Sequence, residues 1–406
     1  MQYTQFISTN RNFRWLWSGM IVSLFGDWFN TIALYEMVGT MSKSPLALAW
    51  VFVLKVLPFA FFAPFGGLIA DRFDRRKLMM HMDLLRAICV FALIVANETH
   101  HLTLVYIFLT LQVMAGAIFQ PAYQALLPNI VSKDDLLTAS ALLSGSWSIL
   151  LAVGSALGGL ALTIFPRSVV LLVDSLSYLF SMYCVWKIVA PKMDIKPLTQ
   201  NWIQEGYEGI AAGWRLMKEQ PRIGKVAVAK ATWSSGGAAL VFMLSLLGMS
   251  WMPSTPALGI GILYSARGLG TGIGPLIARR FFTKESQWVR VMGIAVVGSG
   301  LTYLSTVWIG KSWIFLTLLV CIAHAFSGIN WVLSSVTLQK RTPDAFRGRV
   351  MSTELLFVTF VEALVTLLAG FLLERIRWTL SECFIVFACV QMILGAAWLF
   401  WVRKIS

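Results

Sequence analysis

The chain has 406 residues, 58% of them hydrophobic and only 13% charged, with 33 Lys+Arg against 19 Asp+Glu and a net charge of +14. Soluble domains carry about 25% charged residues, so an ordinary aqueous enzyme is excluded, as are disordered or fibrous chains, whose apolar content is far lower. In a soluble protein the positive excess would point to nucleic acid, but here the basic residues flank apolar runs, the pattern that orients membrane spans.

The N-terminal stretch MQYTQFISTNRNFRWLW has no signal-peptide cleavage pattern, so the first apolar run is expected to persist as a helix. Residues 102–132, 136–166, 231–266 and 291–310 contain no Asp, Glu, Lys or Arg. Runs this long read as bilayer spans rather than core helices. One span per apolar run predicts twelve, over about 15–38, 46–70, 78–97, 102–126, 136–164, 168–189, 226–248, 257–281, 289–309, 313–339, 350–373 and 380–401. Helix is the default, because an isolated span must satisfy its backbone polar groups internally, and strand alternation is absent. Cys89, Cys184, Cys321, Cys383 and Cys389 all lie in apolar stretches without CxxC spacing, so neither a disulfide framework nor a zinc site is expected.

With both termini cytoplasmic, the inner loops and span ends hold 24 of the 33 basic residues. The outer loops hold Lys43, Arg167, Lys311, Arg375 and Arg377, and Lys55, Arg86, Lys230 and Arg267 fall within spans. An odd number of spans would destroy this asymmetry, which is the one expected of an inner-membrane protein with both ends inside. The longest hydrophilic stretch, about 190–223, mixes Trp202, Ile203, Ile210, Trp214 and Leu216 with polar residues, as a surface amphipathic helix does. It predicts an N-terminal six-helix bundle over 1–190, a linker over 191–223 and a C-terminal bundle over 224–406, an arrangement known in transporters.

Between the second and third spans the chain reads Gly67-Leu-Ile-Ala-Asp71-Arg72-Phe-Asp74-Arg75-Arg76-Lys77. The plain alternative is a positive-inside loop, but Gly, Asp and several arginines rarely fall at these spacings by accident. This segment resembles the signature loop of the major facilitator superfamily: Gly67, Asp71, Arg72, Arg75 and Arg76 match, while Asp74 replaces the usual second glycine. Phe25-Gly26-Asp27-Trp28, Phe119-Gln120-Pro121-Ala122, Asp174-Ser175-Leu176-Ser177-Tyr178, Glu205-Gly206 and Arg347-Gly348-Arg349-Val350 are similar to the drug-efflux branch that includes macrolide and enterobactin exporters. The resemblance implies an all-α polytopic fold of two pseudo-symmetric six-helix bundles, with Arg347 and Arg349 joining the loop residues as a conformational switch, and proton antiport as the usual coupling. Two departures stand out. Ser155 occupies a position where the antiporter motif of the fifth span has proline, and the fourth span lacks the arginine of many proton-coupled relatives, with Gln112 and Gly116 in that region.

Four charges share one depth. At 1.5 Å per residue, Asp27, Lys55, Arg267 and Glu362 lie about 18, 22, 21 and 18 Å from the inner ends of their spans. A charge at that level costs about 2.5–3.5 kcal/mol or more. The four are therefore either structural ion pairs or a substrate- and proton-binding site, with Asp27 the first titrating candidate and Glu362 the second. Lys55 and Arg267 would hold an anion or act as counterions. His324 and Asn330 in span ten are further cavity candidates, and Trp28, Trp233 and Trp331 offer flat apolar surfaces or interface anchors. Asp174 reads as structural, Glu36 as solvated, and Lys230 as snorkelling inward. Gly154 and Gly158 in span five, and Gly268 and Gly272 in span eight, have the spacing of close helix contacts. By resemblance, those spans meet between the halves.

No GxxxxGK[ST] loop, HExxH or paired-cysteine motif occurs, so neither an enzyme nor a nucleotide-driven pump is expected, and no cofactor or metal. The expected function is export of a small amphipathic solute, a drug or siderophore-like metabolite, by a monomer using alternating access and protons, with no nucleic-acid partner. Alternatives are a lysophospholipid carrier, uptake of a nutrient or metal ion, or a receptor or scaffold on a transporter fold. Against the last stand the short termini.

Overall fold

The computed structural model describes residues 3–132, 134–189, 202–308 and 312–403. Every regular element among them is helical. A short α1 (Tyr3–Thr9) precedes six long helices, α2 (Arg11–Ser42), α3 (Pro45–Ala70), α4 (Arg75–Glu98), α5 (Leu102–Ile130), α6 (Leu136–Ile164) and α7 (Arg167–Lys187). Then come α8 (Trp202–Glu219), a short α9 (Pro221–Ala227), and six more long helices: α10 (Ala229–Trp251), α11 (Pro256–Phe281), α12 (Glu285–Ser305), α13 (Trp313–Arg341), α14 (Arg347–Glu374) and α15 (Leu380–Val402). The linker segment 190–201 and Lys133, Lys311 and Lys404, which enter the expected charge asymmetry, lie outside the described residues. The amphipathic helix expected near there is α8.

Ten helices are long and apolar enough to cross a membrane, α9 and α10 counting as one run. The other two long ones, α2 with 32 residues and α11 with 26, exceed the length that a hydrocarbon core of about 30 Å requires. They are less apolar because α2 carries Asp27 and Glu36, and α11 carries Arg267 and six glycines. Both pack at the centre of the molecule, against helices of the other half as well as their own, where neighbours shield polar atoms from lipid. Outward-facing positions on the peripheral helices are large and apolar, among them Phe91, Val95, Ile149, Ile393 and Phe400. That is the inverse of a soluble surface and suits acyl chains.

Local sequence sets the helix limits. Ser44 accepts from Ala47 N and Pro45 opens α3. Asp74 accepts from Lys77 N at 3.0 Å and so caps α4, which gives a physical reason for aspartate where the family loop has glycine. Thr379 and Glu382 form a capping box that starts α15.

Helices α2–α7 pack into one bundle and α10–α15 into another, and the halves meet chiefly along α6–α11 and α3–α14. Twelve long helices place both chain ends on one face, called here the terminus face. Close approaches between the halves run from mid-depth, where a Cβ on Gly268 would sit 2.5 Å from Ala152 N, toward the opposite face. A Cβ on Gly159 would sit 2.7 Å from the Ala257 carbonyl oxygen, and one on Gly370 would sit 2.8 Å from the Ala49 Cβ. There Glu374 of α14 also accepts from Leu46 N at 3.1 Å and from the Ser44 hydroxyl, clasping the start of α3. On the terminus face α8 touches both halves. Tyr207 packs on Phe65 of α3 at 5.5 Å between ring centroids, and Thr353 of α14 donates to the Ile210 carbonyl at 3.0 Å.

Candidate functional site

The two halves carry polar side chains at matching registers. Lys55 lies ten residues after Pro45 in α3, and Arg267 eleven after Pro256 in α11. Gln112 and His324 stand ten and eleven residues into α5 and α13, and Tyr178 and Gln391 eleven residues into α7 and α15. All are about 15–17 Å from the opposite face, near the middle of a bilayer core.

In the first half the backbone brings polar groups from five helices, α2, α3, α4, α5 and α7, to one spot. Tyr178 donates its hydroxyl to the Asp27 carboxylate and accepts from Gln112 Nε2 at 3.0 Å, while Gln112 Oε1 accepts from Asn30 Nδ2 at 3.3 Å. Thr31 donates to the Asp27 carbonyl at 2.6 Å and accepts from Lys55 Nζ at 2.7 Å. Asp174 is fully buried, with Ser177 Oγ 3.2 Å from its Oδ1. Gly26 makes this possible, since a Cβ there would stand 2.5 Å from Asp174 Oδ1. Behind them Asp83 and Arg86 form a buried ion pair, and the Arg86 guanidinium lies 4.3 Å over the Phe119 ring and 4.4 Å over Tyr178. Arg86 and Lys55 are the cations whose fields act on Asp27.

In the second half Ser234 of α10 donates to Glu362 Oε1 at 3.0 Å. The Arg267 guanidinium sits 5.5 Å from the Tyr264 ring, and its Nε is buried without a hydrogen-bond partner. Tyr35, Tyr303, His324 and Glu362 all lie within its field. His324 is buried, its Nε2 2.7 Å from the Tyr303 hydroxyl and its ring edge-on to Trp233. Asn330 is buried too and donates to the Ala229 carbonyl at 3.4 Å.

An aromatic layer lies above these charges, toward the opposite face. Tyr35 of α2 stacks on Phe52 of α3 at 4.3 Å between centroids and meets Tyr264 of α11 at 5.5 Å, while Phe52 meets Phe242 of α10 at 5.4 Å. Phe52 and Tyr264 are each one turn beyond Lys55 and Arg267. The layer joins the two halves. Below it Asp27, Lys55, Arg267 and Glu362 remain partly accessible, unlike the fully enclosed Asp83, Asp174, Glu354, His324 and Asn330.

Several sequence expectations change in three dimensions. Asp174, expected to be structural, is buried in α7 against Gly26 of α2 and lies within the field of Asp27, because Gly26 lets α7 approach α2 closely. Lys230 does not snorkel: its Nζ lies 3.0 and 3.1 Å from the two carboxylate oxygens of Glu354 and 4.9 Å from the Trp331 ring, a buried pair that satisfies both charges internally. Glu36 is bound by Arg167 at 2.8 Å, which loop geometry between spans conceals from the sequence. Gly268 and Gly272 do face the other half, at Ala152 and Ser148, but Gly154 and Gly158 pack on Trp28 and Phe29 of their own half, and Gly159 is the one that meets α11. In the signature loop, Gly67 has open space around it, and Gly66 makes the close approach, 2.3 Å from the Ala117 carbonyl to a built Cβ. Arg75 joins Asp71 at 3.2 Å and donates to the Ala125 carbonyl at 2.7 Å, Arg76 donates to the Val185 carbonyl at 3.0 Å, and Arg347 pairs with Asp344 at 2.5 Å. Arg349 lies 5.4 Å from the Phe346 ring. Asn30, Thr31, Arg86, Gln112 and Tyr178 escaped selection as site residues. Of these, only Arg86 carries a signal in the sequence, an aspartate three residues before it in an apolar span.

The sequence model of the transmembrane secretion effector family matches residues 7–404. Macrolide efflux protein A of Streptococcus pyogenes is 23% identical over 352 residues, covering 83% of each chain. The putative bacilysin exporter BacE of Bacillus subtilis (strain 168) is 25% identical over 207 residues, about half of each chain at 51%. Among solved structures, the POT family transporter PepTSo superposes with a TM-score of 0.77 at 14% identity over 97% of this chain and 98% of that one. The nucleoside transporter NupG gives 0.74 at 14% identity, over 97% and 99%. These two similarities speak to the fold alone.

Proposed function

The chain belongs to the transmembrane secretion effector family of the major facilitator superfamily, and from that footing we propose that it exports a small amphipathic solute by alternating access coupled to proton antiport. One observation carries the proposal: partly accessible charges from α2, α3, α11 and α14 converge at mid-depth beneath an aromatic layer shared by both halves. Closure on the opposite face supports a state that faces the terminus side, which the charge asymmetry of the loops assigns to the cytoplasm. Rocking the halves would part Tyr35 from Tyr264 and release the Glu374 clasp. A solute or proton shifts that equilibrium only through different contacts in the two states.

The proton would be carried in the first half. Asp27, Asp83 and Asp174 face Lys55 and Arg86 there, so the cluster has one carboxylate in excess, and one added proton balances it. The Tyr178–Gln112–Asn30 chain holds the Asp27 carboxylate in place while its protonation changes. Macrolide efflux by one relative and putative bacilysin export by the other support a small-molecule cargo.

The test is flux in proteoliposomes with an imposed pH gradient, for the wild type and for Asp27→Asn and Glu362→Gln. We expect at least one substitution to abolish coupling with folding intact. Wild-type efflux that ignores the gradient removes antiport from the proposal, and coupled flux in both variants removes these carboxylates from the proton path.

A second reading, a lipid carrier, draws on an apolar groove between α2 and α7, lined by Val22, Phe25, Gly26, Val173, Leu176 and Phe180, which reaches the Asp174 neighbourhood from the lipid side. Competition by a labelled lysolipid for solute binding separates it from export of a water-soluble compound.

A further inference from the structure

Building on the transport proposal, we infer that the exported solute carries an anionic group, a carboxylate or phosphate, held between Lys55 of one half and Arg267 of the other. The assignment comes from matching charges across the whole interior. Arg86 has Asp83, Lys230 has Glu354 and Arg167 has Glu36 as partners. Lys55 and Arg267 differ. Lys55 spends one donor on a neutral hydroxyl, that of Thr31. The Arg267 guanidinium makes no hydrogen bond or ion pair among the described residues, and its Nε is buried without a partner. A guanidinium is never deprotonated in a protein and has a fork of donors that fits a carboxylate or phosphate edge. Leaving it unmatched at mid-depth is costly, and an arriving anion removes that cost.

The carboxylates nearest these cations accept hydrogen bonds from other donors. Asp27 accepts from Tyr178, and Glu362 from Ser234 at 3.0 Å. Neither of them stands within ion-pair distance of Lys55 or Arg267, nor does Asp174, although Asp27 and Asp174 share the field of Lys55 and Glu362 that of Arg267. The two cations occupy equivalent registers, ten and eleven residues into the second helix of each half. Their neighbours one turn on are aromatic, Phe52 and Tyr264, with Tyr35 between them. The site therefore offers two cations to a charged end and ring faces to an apolar body. A cationic solute would leave both donors unused, so it gains less from the site than an anion does. Because one cation belongs to each half, an anion bound to both also ties the halves together, and binding is linked to their approach.

The test uses the full chain in nanodiscs and proteoliposomes with four dansyl probes that differ only in their arm: carboxylate, phosphonate, neutral carboxamide and trimethylammonium. The two anionic probes should bind roughly 10–100-fold more tightly than the trimethylammonium probe, the range for hydrogen bonds to charged groups. Arg267→Gln and Lys55→Gln should each cut that preference about tenfold, far more than they alter carboxamide affinity, and Arg267→Lys should keep part of it and show that the fold tolerates the site. Competition by lysophosphatidate but not by a soluble aryl phosphate would place the anion on a lipid, and the reverse would place it on a free solute. Either supports the inference. Preference for trimethylammonium, or an unaltered ranking in both Gln variants, overturns the anion assignment and leaves export standing. If no probe of any charge binds or moves, the export proposal itself fails and the assignment falls with it.

Discussion

The clasp on the opposite face gives the sharpest handle on the conformational equilibrium. Glu374 of α14 accepts from the Ser44 hydroxyl and, at 3.1 Å, from Leu46 N, so one carboxylate bridges the halves and helps cap α3. Its side chain is 28% accessible, so the interaction is partly screened. Hydrogen bonds to a charged group contribute about 1.5–3 kcal/mol each when protected, and exposed charge interactions contribute well under 1 kcal/mol. Taking the pair together at about 2 kcal/mol, Glu374→Ala should move the ratio of closed to open at that face roughly 30-fold. Electron–electron resonance distances between spin labels at Thr163, ending α6, and Ser381, starting α15, read this directly in nanodiscs. Labels need a background free of the five native cysteines. The distribution should gain a longer component in Glu374→Ala and a smaller one in Glu374→Gln, which keeps an acceptor. Identical distributions in all three proteins would refute the idea that this contact holds the halves shut.

Other substitutions probe the packing. At Gly268 a Cβ would lie 2.5 Å from Ala152 N and 2.7 Å from its Cα, so Gly268→Val should cost about 1–3 kcal/mol of stability by overpacking. Gly67→Ala meets open space and should stay within about 0.5 kcal/mol of the wild type. Thermal unfolding of both in the same detergent checks the pair, and equal losses would contradict the geometry. Lys230→Met strands Glu354 and should destabilise by about 3–5 kcal/mol, whereas Lys230→Met with Glu354→Leu should recover most of it. A double-mutant cycle by denaturant unfolding measures the coupling, and additive single effects would show that the pair does not act as one.

Much of the architecture was legible in the chain. Charge-free runs, proline and aspartate at helix starts, and the one-sided loop charges predict the long helices and a shared face for the termini, because bilayer thickness and backbone hydrogen bonding leave few choices. Depth was legible as well: Lys55 and Arg267 fall at the same level by counting residues. Azimuth was not. The rotation of each helix decides that Gly66 rather than Gly67 touches α5, that Gly159 rather than Gly158 meets the other half, and that Asp174 turns inward toward Asp27. A glycine-rich face fits either neighbour equally well until the bundle is assembled.

Partnership is the same question for charges. Composition and helical rise are enough to put ionisable groups in the membrane interior and to give their types and depths. Which of them neutralise one another follows from how the helices pack. Arg86 and Lys230 find carboxylates in their own half, whereas Arg267 makes no ion pair among the described residues and its Nε stays unpartnered. The reason is that a salt bridge needs approach within a few ångströms. That distance depends on how helices far apart in the chain cross, a property no local pattern encodes.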